Sequence, residues 1–260
     1  MIGDAQITRV LILGGTTEAT QLCELMAACP RIAGTLSLAG RTAKPAPQPL
    51  PMRIGGFGGA EGLERFLTEQ KIDILVDATH PFAEQISIHA KAAASSANVF
   101  LIVLTRPAWT KAAGDHWIEV DDLTEVANAL GKIARRVLVT SGRQGLRAFE
   151  SAPQHDYVIR TIEPPEALNL PRAKFLLDRG PFSESAEEAL MLAEKIEVLV
   201  TKNSGGSATY GKIAAARRLG LSVVMVRPPL RSDALTLHDP MDALRAIEAH
   251  HGGTGMDRGV

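Results

Sequence analysis

The sequence predicts an α/β protein built as two halves, each a parallel sheet with helices on both faces. Three observations predict it. Short, almost continuously apolar runs alternate with helix-length amphipathic segments, as strands buried on both faces require. Polar or glycine-bearing loops follow most of the strand-like runs. The whole pattern restarts near Arg136, where Val137-Leu-Val-Thr-Ser141-Gly142 resembles Val10-Leu-Ile-Leu-Gly14-Gly15.

The elements follow in order. Arg9–Leu13 is a short β-like run ending in glycines. Residues Thr17–Ala28 carry Leu22, Leu25 and Met26 on one stripe and read as a helix. Thr35–Ala39 is a second strand, and a short third strand is expected before Gly55. Glu61–Gln70 is helical, Ile72–Val76 a buried strand, Ala83–Ala97 an Ala-rich helix, and Phe100–Leu104 a strand. Trp117–Val120 and a helix over Leu123–Lys132 close the first half. In the second half, strands are expected at Arg136–Thr140, Tyr157–Arg160, Val198–Thr201 and Ser222–Val226. Helices are expected near Gly145–Ser151, Ser185–Lys195, Gly211–Leu219 and Pro240–His250. Lys44–Pro51, with four prolines in eight residues, is an extended loop. The expected domains are therefore 1–132 and 133–250, with a polar, disordered tail over 251–260.

Composition narrows the function. The 260 residues include 28 Lys+Arg and 29 Asp+Glu, a net charge of -1, so no global attraction to nucleic acid or anionic membrane is encoded. Residues 1–132 hold eleven basic and fourteen acidic side chains; the remainder holds seventeen and fifteen, which makes it the better host for an anion. No apolar run reaches the ~18–20 residues of a membrane span, and the N-terminus lacks a signal-peptide pattern. Cys23 and Cys29 share one helix on different faces and read as two thiols in a reducing cytoplasm, with no metal site.

The first strand-to-helix turn, Gly14-Gly15-Thr16-Thr17-Glu18, lets backbone approach a ligand where unpaired helix N–H groups attract phosphate. It also fits a plain tight turn with Thr17 as the helix cap. Dinucleotide folds place an acidic residue about twenty positions on for NAD, and an arginine for the NADP 2′-phosphate. No acidic residue occurs between Glu24 and Glu61, whereas Gly40-Arg41 follows the second strand, so Arg41 is the expected phosphate ligand, with Lys44 assisting. Gly55-Gly56-Phe57-Gly58-Gly59 suits a loop lying against a flat ring or a pyrophosphate, or a flexible connector.

Asp77-Ala78-Thr79-His80-Pro81-Phe82-Ala83 sits at the carboxyl end of a strand, where ligands bind in parallel sheets. Pro81 holds His80 out of the helix; Thr79 or His80 as a helix cap is the plain alternative. In the second half, Arg143, Arg160, Ser183 and the run Lys202-Asn203-Ser204-Gly205-Gly206-Ser207 all follow strands. That last run is a backbone nest for a carboxylate or phosphate, though not a P-loop, because the lysine precedes the glycines.

Taken together, these stretches resemble the precorrin-6A reductase family of corrin-ring biosynthesis. The resemblance is carried by Leu-Gly-Gly-Thr-Thr-Glu-Ala (13–19), Leu-Ala-Gly-Arg (38–41), Gly-Gly-Phe-Gly-Gly (55–59) and Asp-Ala-Thr-His-Pro-Phe-Ala (77–83). It continues through Arg-Pro-x-Trp (106–109), Pro-Pro-Glu (164–166), Arg-Gly-Pro-Phe (179–182) and Thr-Lys-Asn-Ser-Gly-Gly (201–206), where Asn203 replaces a frequent aspartate. The resemblance implies two Rossmann-like halves with a cleft between them, and NADPH-dependent reduction of one C=C bond of the precorrin-6A macrocycle to give precorrin-6B. It supports cofactor contacts at Gly15, Thr16, Thr17 and Arg41, and Gly14, Glu18, Gly40, Gly56, Thr79 and His80 are expected to join them. Substrate contacts are expected at Arg143, Arg160, Ser183, Lys202, Ser204, Gly205 and Gly206. Neighbouring enzymes of the cobalamin pathway are the expected partners.

The nicotinamide carries the hydride chemistry and the protein orients it. The accompanying proton is expected from His80, Lys202, Tyr210 or water, with His80 and Lys202 placed first because their loops are expected to face the cleft that the resemblance implies. A cobalt-bearing substrate and a dinucleotide-sensing module without turnover are the competing readings.

Overall fold

The computed structural model describes residues 7–40, 46–164, 167–229 and 234–253, the last three of these as backbone only. Two compact units emerge, residues 1–106 with 230–260, and residues 107–229.

Unit 1 contains β1 (Thr8–Leu13), α1 (Thr17–Ala27), β2 (Ile32–Leu38), β3 (Met52–Ile54), α2 (Ala60–Glu69), β4 (Ile74–Asp77), α3 (Glu84–Ser96) and β5 (Phe100–Leu104). The chain then leaves and returns to add β12 (Leu235–Leu237) and α7 (Pro240–Gly253). The six strands run in the order β12-β5-β4-β1-β2-β3, all pairings parallel. Alternation along β1 splits the core: Val10 and Ile12 pack with α1 and α7, while Leu11 and Leu13 pack with α2 and α3.

Unit 2 contains β6 (His116–Val120), α4 (Val126–Leu130), β7 (Arg136–Val139), a 3-10 helix (Leu146–Ser151), β8 (Asp156–Thr161), β9 (Ala173–Leu177), α5 (Glu184–Ala193), β10 (Val198–Lys202), α6 (Gly211–Arg218) and β11 (Ser222–Val226). Its strand order, β6-β11-β10-β7-β8-β9, repeats that of unit 1 and is again parallel throughout. Leu138, Val158, Leu199 and Met225 face α5 and α6. On the other face Tyr157 meets Phe149 of the 3-10 helix edge-on at 5.4 Å.

The repeat extends to how the sheets close. Arg9 N–H donates to the Asp73 carboxylate at 2.8 Å, and Asp73 N–H returns a bond to Arg9 C=O. Arg136 and Glu197 do the same before β10, at 2.7 Å and 2.9 Å. The sixth strand, however, is exchanged. β6 follows β5 in sequence yet pairs with β11, and β12 follows β11 yet pairs with β5.

This exchange corrects the expected domain boundary. Residues 1–132 and 133–250 are the two repeats, but the compact units divide at 106/107 and 229/230, because each repeat lends its last strand and helix to the other sheet. Helix α7 also reaches Gly253, three residues into the expected tail, and 254–260 lie outside the described residues. Two edge strands escaped the sequence reading, β9 and β12, since runs of five and three residues carry no periodicity of their own. The expected helix near Gly145–Ser151 is a 3-10 turn, and that over Leu123–Lys132 shrinks to one short helix.

The glycine loop before α2 is locked from below. Arg53 on β3 donates to Ser37 Oγ at 2.7 Å and to the carbonyls of Gly55 and Gly56 at 3.1 Å each, with its guanidinium carbon 3.9 Å from the Phe57 ring centre. Burial pulls the Arg53 pKa below its ordinary value, yet an arginine stays charged at any working pH. A Cβ on Gly62 would stand 1.7 Å from the Phe57 carbonyl oxygen. In an exposed helix Gly→Ala gains up to about 1 kcal/mol. Here Gly62→Ala is expected to destabilise by about 1–3 kcal/mol instead, read from denaturant midpoints; a stabilised variant would contradict the packing.

Candidate active site

In unit 1 the chain moves from β1 outward to β2 and β3, then crosses back to β4, so the switch point of the sheet lies between β1 and β4. Ligands bind outside the carboxyl ends of strands at such a point. Two turns meet there, and the sequence supplies both.

The turn after β1 has two different glycines. Gly14 is packed: a Cβ would meet Leu36 Cδ1 at 2.4 Å. Gly15 is open, with a φ of +119° and nothing within 4 Å of a Cβ, so its backbone is bare to a ligand. Thr16, not Thr17, caps α1. Its Oγ accepts from Ala19 N–H at 3.2 Å and donates to Ala78 C=O at 2.8 Å, tying the β1 turn to the β4 turn. The Thr16 hydroxyl proton is therefore committed to the fold, while Thr17 is exposed. Glu18 pairs with Arg106, which follows β5, at 3.5 Å.

The turn after β4 is organised by Asp77, only 1% exposed. Its carboxylate accepts from Thr79 Oγ and Ser87 Oγ, both at 2.6 Å, and from Thr79 N–H at 3.1 Å. Charge-assisted bonds of this kind offset the desolvation of a buried carboxylate. Thr79 is itself buried by this arrangement. His80 is exposed, and its Nδ1 accepts from Phe82 N–H at 3.2 Å, which puts the proton of the neutral ring on Nε2. Neither Thr79 nor His80 caps α3, whose cap is Ala83 without a side-chain bond. Gly40 and Gly56 lie at the ends of β2 and β3, Gly40 with a φ of +74°. Arg41 and Lys44 lie outside the described residues.

In unit 2 the equivalent switch point lies between β7 and β10. The run after β10 is bolted to Trp109. Asn203 Oδ1 accepts from Trp109 N–H at 2.8 Å, Asn203 Nδ2 donates to Trp109 C=O at 2.9 Å, and Trp109 Nε1 donates to Gly206 C=O at 2.7 Å. Tyr210 packs edge-on against Trp109 and accepts from Arg217 at 2.6 Å. Arg217 also pairs with Asp115 at 2.8 Å, and these two partners push its pKa above the arginine range. Gly205 and Gly206 take φ values of +66° and +73°, the left-handed region that favours glycine. Ser204 and Gly205 are buried, and Lys202 is half-buried at the end of β10.

The other expected substrate contacts are committed elsewhere. Arg143 pairs with Glu163 at 3.0 Å on the surface. Ser183 Oγ caps α5 by accepting from Ala186 N–H at 3.2 Å. Arg160 is buried against Glu187 at 2.6 Å and is stacked on Phe182, so its charge is already matched and it is not a bare cation for a substrate carboxylate. Arg53, Asp77, Trp109 and Glu187 shape these turns without having been assigned roles from sequence; only their position beside glycine-rich or strand-terminal motifs hinted at them.

The family described as precorrin-6x reductase CbiJ/CobK matches residues 9–248. The chain belongs to the precorrin-6x reductase family. It is 52% identical to a precorrin-6A reductase from Sinorhizobium sp. over 240 residues, 92% of both chains. It is 44% identical to the precorrin-6A reductase of Rhodobacter capsulatus, covering 98% of this chain and all of that one. A solved structure, the CobK precorrin-6A reductase, superposes with a TM-score of 0.87 at 41% identity, covering 94% of this chain and 97% of that one. The expected family and fold are thus established for this reductase. Among its described residues no helix is long and apolar enough to cross a membrane, and no cluster of His, Cys, Asp and Glu could hold a metal.

The Thr16 clamp gives a direct test. Thr16→Val loses a helix cap and the bond to Ala78, and unfolding should show a loss of about 1–2 kcal/mol. Thr17→Val, one residue along, should stay within about 0.5 kcal/mol of the parent. Equal losses would remove the clamp.

Proposed function

We propose that this reductase draws its hydride from NADPH held by unit 1 and delivers it to one carbon–carbon double bond of precorrin-6A, a polycarboxylated tetrapyrrole, giving precorrin-6B. The observation that carries the cofactor part is the open Gly15 backbone beside the capped N-terminus of α1, at the switch point of a parallel sheet. A Cβ there would occupy space the cradle leaves bare, and α1 offers its N-terminal field to a diphosphate. The bound nicotinamide supplies the hydride. Gly15 and the first turn of α1 would hold its diphosphate and Arg41 would neutralise its 2′-phosphate, with Thr79 and Gly56 as further contacts.

The residues of unit 2 orient the macrocycle. The Lys202–Ser207 run, with its two positive-φ glycines, would meet side-chain carboxylates through the backbone of Gly205 and Gly206. His80, exposed and accepting from Phe82 N–H through Nδ1, is the first proton source to test, and Lys202 the second.

Nicotinamide absorbance followed anaerobically tests the whole reading: NADPH should be consumed only when precorrin-6A is added. Consumption with a cobalt-bearing precursor alone, or nucleotide binding with no turnover on either, would replace it. Arg41→Ala should raise KM for NADPH by about tenfold or more, the worth of one charge-assisted phosphate contact, and leave NADH little changed. Equal effects on both nucleotides would remove the 2′-phosphate role. His80→Ala should lower kcat by about 10²-fold or more if the ring supplies the proton; unchanged turnover passes the role to Lys202.

A further inference from the structure

Glu18 is an anion in the first turn of α1, the place to which a diphosphate would also be drawn. Thr16 Oγ takes the N–H of Ala19, whereas the N–H groups of Thr17 and Glu18, at the open start of the helix, have no acceptor within it. Those donors and the bare Gly15 backbone favour negative charge, and the Glu18 carboxylate is the anion that this turn carries itself.

Arg106 answers that carboxylate. It follows β5, on the far side of β4 from β1, and its Nη1 lies 3.5 Å from Glu18 Oε2, with the two side chains 16% and 17% exposed. The separation exceeds the ~2.7–2.9 Å of a charge-assisted hydrogen bond. It also exceeds that of the tight pairs of unit 2, 2.6 Å for Arg160–Glu187 and 2.8 Å for Arg217–Asp115. Glu18 thus keeps Arg106 beside the turn by charge more than by a closed hydrogen bond. A guanidinium offers its N–H donors as a planar fork, which meets two oxygens of one phosphate group at once.

We infer that Arg106 is a diphosphate ligand which Glu18 holds in readiness. When the dinucleotide enters, Arg106 exchanges the carboxylate for the diphosphate, and Glu18 is the resident anion that is displaced. Charge sets the direction of the exchange. The phosphate gives the fork two oxygens in place of one long contact, and its own charge is repelled by a carboxylate left in the same turn. Strand order sets the place. β5 lies on the other side of β1 from β2, the strand that Arg41 follows in sequence, so Arg106 serves the diphosphate and not the 2′-phosphate. The inference rests on the reading that unit 1 holds NADPH, to which it adds a residue and an exchange.

The test titrates NADP⁺ into the full chain by calorimetry, as parent, Arg106→Gln, Glu18→Gln and the double variant. Arg106→Gln should weaken binding by about tenfold or more. Glu18→Gln should tighten it by about threefold or more, because the competing anion is gone. A merely structural ion pair would not give opposite signs, since losing either half would act in the same direction. In the Glu18→Gln background, Arg106→Gln should still cost about tenfold. Phosphorus NMR of the saturated complexes locates the contact: Arg106→Gln should shift the diphosphate resonances of bound NADP⁺ and leave that of the 2′-phosphate in place. Unchanged affinity in Arg106→Gln, unchanged or weaker binding in Glu18→Gln, or a shift confined to the 2′-phosphate would each overturn the proposal. So would the absence of any further loss in the double variant, which would reduce Arg106 to a counter-charge for Glu18. A parent chain that binds no NADP⁺ sinks the cofactor reading and the exchange together; a parent that binds, beside any of those outcomes, sinks the exchange alone. Should Arg106→Gln fail to fold, Glu18→Gln decides: tighter binding with shifted diphosphate resonances supports the exchange, and any other result overturns it.

Discussion

Every strand in both sheets runs parallel to its neighbours, so each connection must cross a face of the sheet and every carboxyl end opens on the same side of its sheet. Turns that would be scattered in an antiparallel protein are gathered along one edge. At the switch point of unit 1 this brings the β1 and β4 turns into contact, and Thr16 closes them with one hydroxyl used as both acceptor and donor. Without that bond the open Gly15 backbone and the Asp77 turn would be separate loops. With it they form one rigid rim on which a ligand can be positioned.

The same constraint explains a device found in both units. Each unit meets the loop between its edge strand, β3 or β9, and the following helix with an arginine laid on a phenylalanine. In unit 1 Arg53 lies on Phe57 and holds two loop carbonyls. In unit 2 Arg160 lies on Phe182 and is matched by Glu187 of α5. The two differ in what remains. Arg53 spends its donors on Ser37 and two loop carbonyls, whereas the Arg160–Glu187 pair leaves Glu187 Oε2 buried with no hydrogen-bond partner among the described residues.

Charge is distributed with similar economy. Asp77 accepts from two Thr79 groups and Ser87, Arg217 donates to Asp115 and Tyr210, and Arg143 and Arg160 each pair with a carboxylate. Counting cations along the second half would therefore overstate its appetite for anions.

Apolar runs such as Val10–Leu13 and Val198–Val200 were legible in the sequence as buried parallel strands, because only such strands need apolar residues on both faces. The motifs at their ends, from Gly14-Gly15 to Thr201–Gly206, were legible as loops at carboxyl ends and carried the family with them. Strands β9 and β12 were not, since five and three residues become strands only when β8 and β5 offer an edge. Nor was the exchange of β6 and β12, because pairing partners are chosen in space and local periodicity is identical either way. The sequence by itself determined which residues form strands, helices and glycine turns, as these follow from spacing and backbone preference. Tertiary structure alone decided which side chains are already paired: that Thr16 belongs to Ala78 and Arg160 to Glu187 is a matter of distance across the sheet, over 62 and 27 residues of chain.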